Sequence, residues 1–475
     1  MSSILSPRHL AIHGHFYQPP RGNPLSGRPL IEPNAAPYEN WNARITAECY
    51  EPNARLGNLD SISYNVGETL AAWLEEHAPE TYARFLEADR NGLAAFGAGN
   101  AIAQPMHHTI LPLDRYTDKM TQVRWGKTVF QHRFGRRTTG MWLPEMAVDY
   151  ETLEVLATQE IEWTILSRSQ IATETTDSGP FWVKLPSGKR MKVFVRDEAL
   201  SNDIAFNLGN FGGAGRWARE VLLERTQSAG PLTLIATDGE TFGHHWKGEE
   251  LFLQWLLRYE AQAAGYQITT LPAYASQAQP AGEIEIIENT AWSSSYGLAR
   301  WVTGSADTAG DSSWKGAVRR ALDNLRHVVD VIYRDETQRM NVSDPLALRD
   351  AFIKVVLGHT PPEAFLKEQE VDVSPDDQAR LYRLVEAQYF RQRMYASCTF
   401  FYADIDDLST RYGIASAAGV IRLIQDAVGD DLSSDFRTDL RLAHGTDKDT
   451  NTTITGRDIY DDIVSELQPG LEHRV

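Results

Sequence analysis

The chain has 475 residues, of which 42% are hydrophobic and 23% charged, a balance that excludes a disordered chain and a collagen-like repeat. Its two cysteines, Cys49 and Cys398, exclude a disulfide framework and a cysteine-based zinc cluster. Lys and Arg number 46 against 64 Asp and Glu, and the net charge of −18 argues against broad binding to nucleic acid or to an anionic membrane.

From the N-terminus, HLAIHGH (from His9) predicts a buried strand, short and apolar with a polar end. SISYNV (from Ser61) predicts a second strand, and GETLAAWLEEH (from Gly67) a helix after it. EIEWTILS (from Glu160), RMKVFVRD (from Arg190) and LTLIATDGE (from Leu232) predict further strands, followed by a helix at ELFLQWLLRYEAQ (from Glu250). Strand–helix alternation up to about residue 300 points to a parallel α/β fold, a barrel in preference to an open sheet. No GxGxxG or GxxxxGKS/T follows any of these strands, which weakens dinucleotide and P-loop readings.

The later pattern is helical. WKGAVRRALDNLRHVVDVIYR (from Trp314) places Val318, Leu322, Leu325 and Val329 on one face. DPLALRDAFIKVVLG has Asp344 as N-cap, Pro345 in the first turn and Gly358 as stop. Ser374 and Pro375 open another helix, and SAAGVIRLIQDAV (from Ser416) predicts a further one. TGSADTAGDSS (from Thr303) reads as a linker or loop. The chain is therefore expected to divide into a barrel over residues 1–302 and a mainly helical domain over residues 303–475. The tail HGTDKDTNTTITGRD (from His444) reads as irregular. No stretch approaches the ~18 continuous apolar residues of a membrane helix. MSSILSPRHLAIHGHF lacks the basic head and apolar run of a signal peptide. A cytoplasmic protein with no membrane partner is expected.

Chemistry-bearing residues gather at the ends of the predicted strands, where parallel barrels place their active sites. His13 and His15 alternate along one strand and so share a face, with Gln18 just beyond. Glu145 stands beside Trp142 and Pro144, in a setting that suits a nucleophile or a proton donor but also the start of a surface helix. Asp238, Glu240, His244 and His245 crowd the end of a very apolar strand, where an unpaired acidic cluster costs several kcal/mol. Gln104, His107 and His108 lie between apolar segments, as a loop or a ligand site. Glu145 and Asp238 come from different strands and supply the two carboxyls that glycoside hydrolysis needs.

These motifs, in this order, resemble those of glycoside hydrolase family 57, retaining α-glucan enzymes built on an incomplete (β/α)7 barrel. HGHFYQP, FGAGNAIAQP, MWLPEMAVD and ATDGETFGHHW are similar to its first four motifs. TAWSSSYGLARW resembles a later Ser-Trp-rich segment, and MYASCTFFYADID a motif on the helical domain. The likeness runs to roughly residue 425 and is nearest to a subgroup with a C-terminal domain of unknown function. Two departures stand near the expected substrate: Ser-Ser-Ser after Trp292 where relatives often carry Cys and His, and Thr399-Phe400 where they read Gly-Trp.

The resemblance implies a glycoside hydrolase/deacetylase-type (β/α)7 barrel followed by a helical domain that contributes to the substrate cleft. It implies double displacement on an α-glucan or oligosaccharide, with Glu145 as nucleophile and Asp238 as acid/base, their carboxyls ~5–5.5 Å apart. His13, His15, Gln18, Glu240, His244 and His245 would contact or orient sugar, and Trp142, Trp292, Phe400 and Phe401 would offer stacking faces. No metal or other cofactor is required. Two alternatives remain: a metal-dependent polysaccharide deacetylase using His13, His15 and Asp238, and a non-catalytic glucan-binding protein.

Overall fold

The strand expected at HLAIHGH spans Arg8–Phe16 (β1) and is the hub of the first half of the chain. The structure is a computed structural model that describes residues 8–27, 31–227, 229–446 and 452–466. The remaining strands of this half are Ser63–Val66 (β2), Trp163–Ser167 (β3), Phe181–Lys184 (β4), Arg190–Arg196 (β5), Leu232–Asp238 (β6) and Tyr266–Thr269 (β7). β1 pairs in parallel with β2, β6 and β7. β3 pairs in parallel with β5, and β4 adds to β5 antiparallel.

Two short stretches that the sequence pattern does not reveal as strands connect these sheets. Parallel bridges link Tyr64 to Ala101, Ala103 to Met141, and Gly140 to Trp163. Seven parallel segments thus follow one another: β6, β1, β2, residues 101–103, residues 140–142, β3 and β5. Between β5 and β6 the Asp197 N–H donates to the Leu234 carbonyl at 2.7 Å, and no ladder forms there among the described residues. This is the incomplete (β/α)7 barrel expected from the motifs.

Alternation along β1 decides what fills the barrel. Ala11 joins Ile102, Trp142, Met146, Ile165, Phe194, Leu234 and Ala236 in one buried cluster. On the other face Phe16 meets the edges of Tyr50, Tyr64 and Phe85. His13 and His15 share the Ala11 face, above the apolar floor.

Chain contacts divide the protein into two compact units, but not by a single cut near residue 302. One unit comprises Met1–Gln18, Ile31–Met106 and Val129–Ser293; the other comprises Pro19–Leu30, His107–Thr128 and Ser294–Val475. The segment from Thr303 is a run of turns inside the second unit. There the Arg300 guanidinium lies 3.5 Å from the Asp307 carboxylate.

The second unit is helical, and local sequence explains its ends. Lys315–Arg339 buries Val318, Leu322, Leu325 and Val329 as its spacing predicts. Asp344 caps Pro345–Ala351, and a break at Phe352 separates Ile353–Val356 from it. Ser374 caps Pro375–Arg393. Asp407 caps Leu408–Val428, a longer helix than its sequence suggested, and Gly429 ends it at φ +86°. A buried ion network ties the unit together: Arg391 donates to Asp118 at 2.7 and 3.0 Å, and Arg349 at 3.0 Å. The tail is more regular than expected. His444–Thr446 and Thr453–Thr455 pair antiparallel, and Thr455 caps a helix over Gly456–Ser465. Residues 447–451 of that segment lie outside the described residues.

Candidate active site

The parallel register sets His15 of β1 between Asn65 of β2 and Asp238 of β6. One row lower, His13 stands between Ser63 and Ala236. Residues two apart on a strand share a face, so polar groups from three strands meet above the apolar floor. His13 Nε2 donates to Asn65 Oδ1 at 3.0 Å, and its Nδ1 pairs with the Ser63 hydroxyl at 3.1 Å. Asn65 Nδ2 in turn donates to His15 Nδ1 at 2.9 Å and to Gln104 Oε1 at 2.6 Å. Burial pushes His13 down to about 4 and His15 down to about 3, against the Asn65 hydrogen bonds, so both rings are neutral at physiological pH.

Trp142 lies under this pair, with ring centroids 5.2 Å from His13 and 4.7 Å from His15, in near-parallel planes. It has no exposed surface, so it supports the imidazoles and offers no open face of its own. Trp292 meets Trp142 edge-on at 5.1 Å and remains partly exposed.

Glu145 lies in a tight turn, Pro144–Met146, and not at a helix start; the next helix begins at Tyr150, capped by Asp149. Glu145 and Met146 both have positive φ, +57° and +49°, a costly backbone for side-chain-bearing residues and one found disproportionately at functional sites. Its Oε2 accepts from Trp292 Nε1 at 3.0 Å and from the Ser293 hydroxyl at 2.6 Å. The Trp292 N–H donates to the Glu145 carbonyl, also at 3.0 Å. The turn and the segment after Ala291 are therefore fastened together at three points.

Asp238 ends β6 and is partly exposed. Burial, then the charges of Glu240 and Glu145, push its carboxyl well above the ordinary range, while Arg196 opposes them. Arg196 ends β5, under the Trp292 ring at 5.2 Å, and donates to the Ser167 hydroxyl at 2.6 Å and the Ala236 carbonyl at 3.1 Å. Burial pushes Arg196 itself down to about 10. Gly239 follows Asp238 because the Phe16 ring packs there; a Cβ would lie 2.2 Å from it.

Glu240 is buried beside Asp238 and accepts from Tyr50 Oη and, at 3.3 Å, from Gln18 Nε2. Burial raises it to about 7 in spite of those bonds. His244 points elsewhere, pairing with Glu48 at 2.6 Å, and Glu48 also meets Lys247 and Arg44. His245 is exposed.

The structure thus gathers His13, His15, Gln18, Trp142, Glu145, Asp238, Glu240 and Trp292 in the first unit. Phe400 and Phe401 belong to the second unit. Phe400 is 1% exposed beneath Arg319, and Arg300 covers the Phe401 ring at 4.8 Å. His107 is buried against Trp125 and Tyr389, and His108 pairs with Ser397 at 2.6 Å. Asn65, Arg196 and Tyr50 escaped the sequence reading, and Ser293 entered it only as the start of the Ser-Ser-Ser departure. Two of them had a signal: Asn65 and Arg196 are polar ends of apolar strands, as Asp238 is.

The trio His13, His15 and Asp238 is held by hydrogen bonds at the two histidines. Both His13 nitrogens are engaged, and Asn65 takes His15 Nδ1. Among the described residues no group of three His, Cys, Asp or Glu is placed to hold a metal ion, and no helix is long and apolar enough to cross a membrane.

Compared by sequence with curated proteins, the chain matches none. Solved structures share its fold at low identity. An exo-type maltose-forming amylase from Pyrococcus sp. ST04 superposes with a TM-score of 0.71 at 15% identity, over 91% of this chain and 82% of that one. A family 57 branching enzyme from Thermococcus kodakaraensis gives 0.55 at 15% identity, over 98% of both chains. A 4-alpha-glucanotransferase from Thermococcus litoralis gives 0.55 at 14% identity, over 89% of this chain and 60% of that one. Residues 311–473 match a domain of unknown function, DUF3536. The sequence profile of glycosyl hydrolase family 57 matches residues 29–287, over half of the chain and short of residue 425, and the chain belongs to that family.

Proposed function

We propose that the protein is a retaining glycoside hydrolase or glucanotransferase acting on α-linked glucans, with Glu145 as nucleophile and Asp238 as general acid and base. The observation that carries this reading is a pair of electrostatically coupled carboxyls in unlike surroundings. Glu145 is held by two donors on one oxygen. The Asp238 carboxyl makes no hydrogen bond among the described residues, and burial with two acidic neighbours favours its protonated form. Pushing two carboxyls apart in this way is how a site assigns one to donate a proton and the other to attack.

In the first half-reaction the Glu145 carboxylate bonds to the anomeric carbon. The Asp238 proton passes to the glycosidic oxygen as its bond to that carbon breaks. In the second, Asp238 takes a proton from water or from a sugar hydroxyl, whose oxygen displaces Glu145 with net retention. Water gives hydrolysis and a sugar hydroxyl gives transfer. Gln18 and Trp292, both partly exposed beside the carboxyls, would contact the sugar, and the neutral His15 would support its hydroxyls.

The test is product analysis with maltoheptaose and glycogen, wild type beside Glu145→Gln and Asp238→Asn. Shortened or rearranged chains, absent from both variants, with the first-formed anomer retained by NMR, are expected. Inversion, undiminished activity in either variant, or wild type inert on a panel of α-linked glucans would overturn the reading.

A further inference from the structure

The domain of unknown function contains a cavity of about 810 Å³ whose walls come wholly from the helical unit. Gln378, Tyr382 and Glu386 line one side; they are four residues apart on the helix Pro375–Arg393 and so share one face. Lys367 and Leu366 line another side, and Leu423 a third.

Glu386 is the unusual member. It is 4% exposed, its carboxyl makes no hydrogen bond or ion pair among the described residues, and burial raises it to about 7 against the nearby Arg383 charge. Its carboxyl lines the cavity with little exposure and no partner on the protein, so a ligand that completes its hydrogen bonds is favoured there. One helical turn away, Tyr382 is held by edge contacts to Phe352 at 5.7 Å and Phe365 at 6.4 Å, and its hydroxyl makes no hydrogen bond among the described residues. Lys367 makes no ion pair among the described residues.

The lining selects a chemical class. Five of its residues are Asp or Glu and two are Lys or Arg, an excess that repels anions. An organic cation would suit Glu386 but would meet Lys367 and Arg383. Donors and acceptors interleaved around an aromatic ring and aliphatic side chains match a neutral polyol, whose hydroxyls both donate and accept and whose C–H faces are apolar. The volume lies within the range of ligand sites, roughly 300–1,000 Å³.

We infer that this cavity is a second oligosaccharide-binding site, holding a stretch of the same α-glucan on the helical domain; the identity of that glucan rests on the proposed function. Its role is to raise the local concentration of polymer, as a second binding module does.

Calorimetric titration of maltoheptaose into the full-length Glu145→Gln variant, alone and combined with Glu386→Leu or Tyr382→Ala, tests it. Two binding events are expected in the parent and one in each combined variant, with circular dichroism unchanged. In the active enzyme, Glu386→Leu should lower kcat/KM on glycogen at least threefold and leave maltotriose turnover unchanged. An unaltered stoichiometry in both combined variants, or displacement of maltoheptaose from the second site by spermidine, would overturn the inference. Failure of the catalytic reading looks different: wild type would leave glycogen intact while the second binding event persisted.

Discussion

The Ser293 hydroxyl donates to Oε2 of Glu145 at 2.6 Å, and Ser293 opens a Ser-Ser-Ser stretch. With Glu145 as the proposed nucleophile, a donor to its carboxylate matters most when that carboxylate leaves the glycosyl-enzyme. A hydrogen bond to a charged group is worth ~1.5–3 kcal/mol, which corresponds to about 10–100-fold in rate. Ser293→Ala should therefore slow the second half-reaction. kcat and KM should fall together, and a glycosyl-enzyme should accumulate in the intact mass. An unchanged kcat would remove Ser293 from the catalytic account.

The activity should fail on the alkaline side as Asp238 loses its proton, and neighbours set where this happens. After burial, Glu240 is the largest influence raising Asp238, and Arg196 opposes it. Glu240→Gln should move the alkaline limb of the kcat/KM profile to lower pH, and Arg196→Gln should move it to higher pH. Limbs that do not move, or that move the same way, would deny the coupling.

The same shift costs stability. Asp238 binds its proton more tightly folded than unfolded, where its pKa is about 3.9. Below that pH both states are protonated and nothing is lost. Above it the unfolded chain gives up its proton first, and folded stability falls as pH rises. Asp238→Asn should therefore raise Tm by a few degrees at pH 7–8, and the gap should close near pH 4. Tm measured across pH for both proteins checks this.

Asn65 satisfies two buried imidazoles at once. Asn65→Ala strands both, at ~1–3 kcal/mol for each unsatisfied group. Denaturant unfolding should show a loss of about 2–4 kcal/mol with the slope unchanged. A loss below about 0.5 kcal/mol would mean that the rings find other partners.

In the helical unit, Asp118→Ala leaves Arg391 and Arg349 buried without their shared carboxylate. Removing one partner of a buried ion pair typically costs ~3–5 kcal/mol. The helical unit should then unfold well below the wild-type temperature. A melting curve like that of the wild type would show that water replaces the carboxylate.

Much of the barrel was legible because β1, β2, β3, β5 and β6 are apolar runs with polar ends. The segments 101–103 and 140–142 were not, since each makes only isolated bridges and carries too few residues for alternation to register. Glu145 and Asp238 were readable as carboxyls at apolar boundaries. Their surroundings were not: the Ser293 contact joins positions 148 apart, and the Glu240–Tyr50 bond positions 190 apart. Aromatic residues near the motifs invited a stacking role, yet packing seals Trp142 and Phe400. Sequence marks an aromatic ring but does not say whether its face is already covered.

The chain enters and leaves the helical unit more than once, which bears on its synthesis. Trp125, fully buried, donates to the Asp350 carbonyl at 2.8 Å and packs on Tyr389. A ribosome adds ~5–20 residues per second, so the indole waits roughly 10–50 seconds for those partners. During that interval the segment His107–Thr128, with Val123 and Trp125 destined for burial, stands without the rest of its unit. Newborn chains should therefore depend on a holding chaperone, and slowing translation before Asp350 should lengthen that dependence.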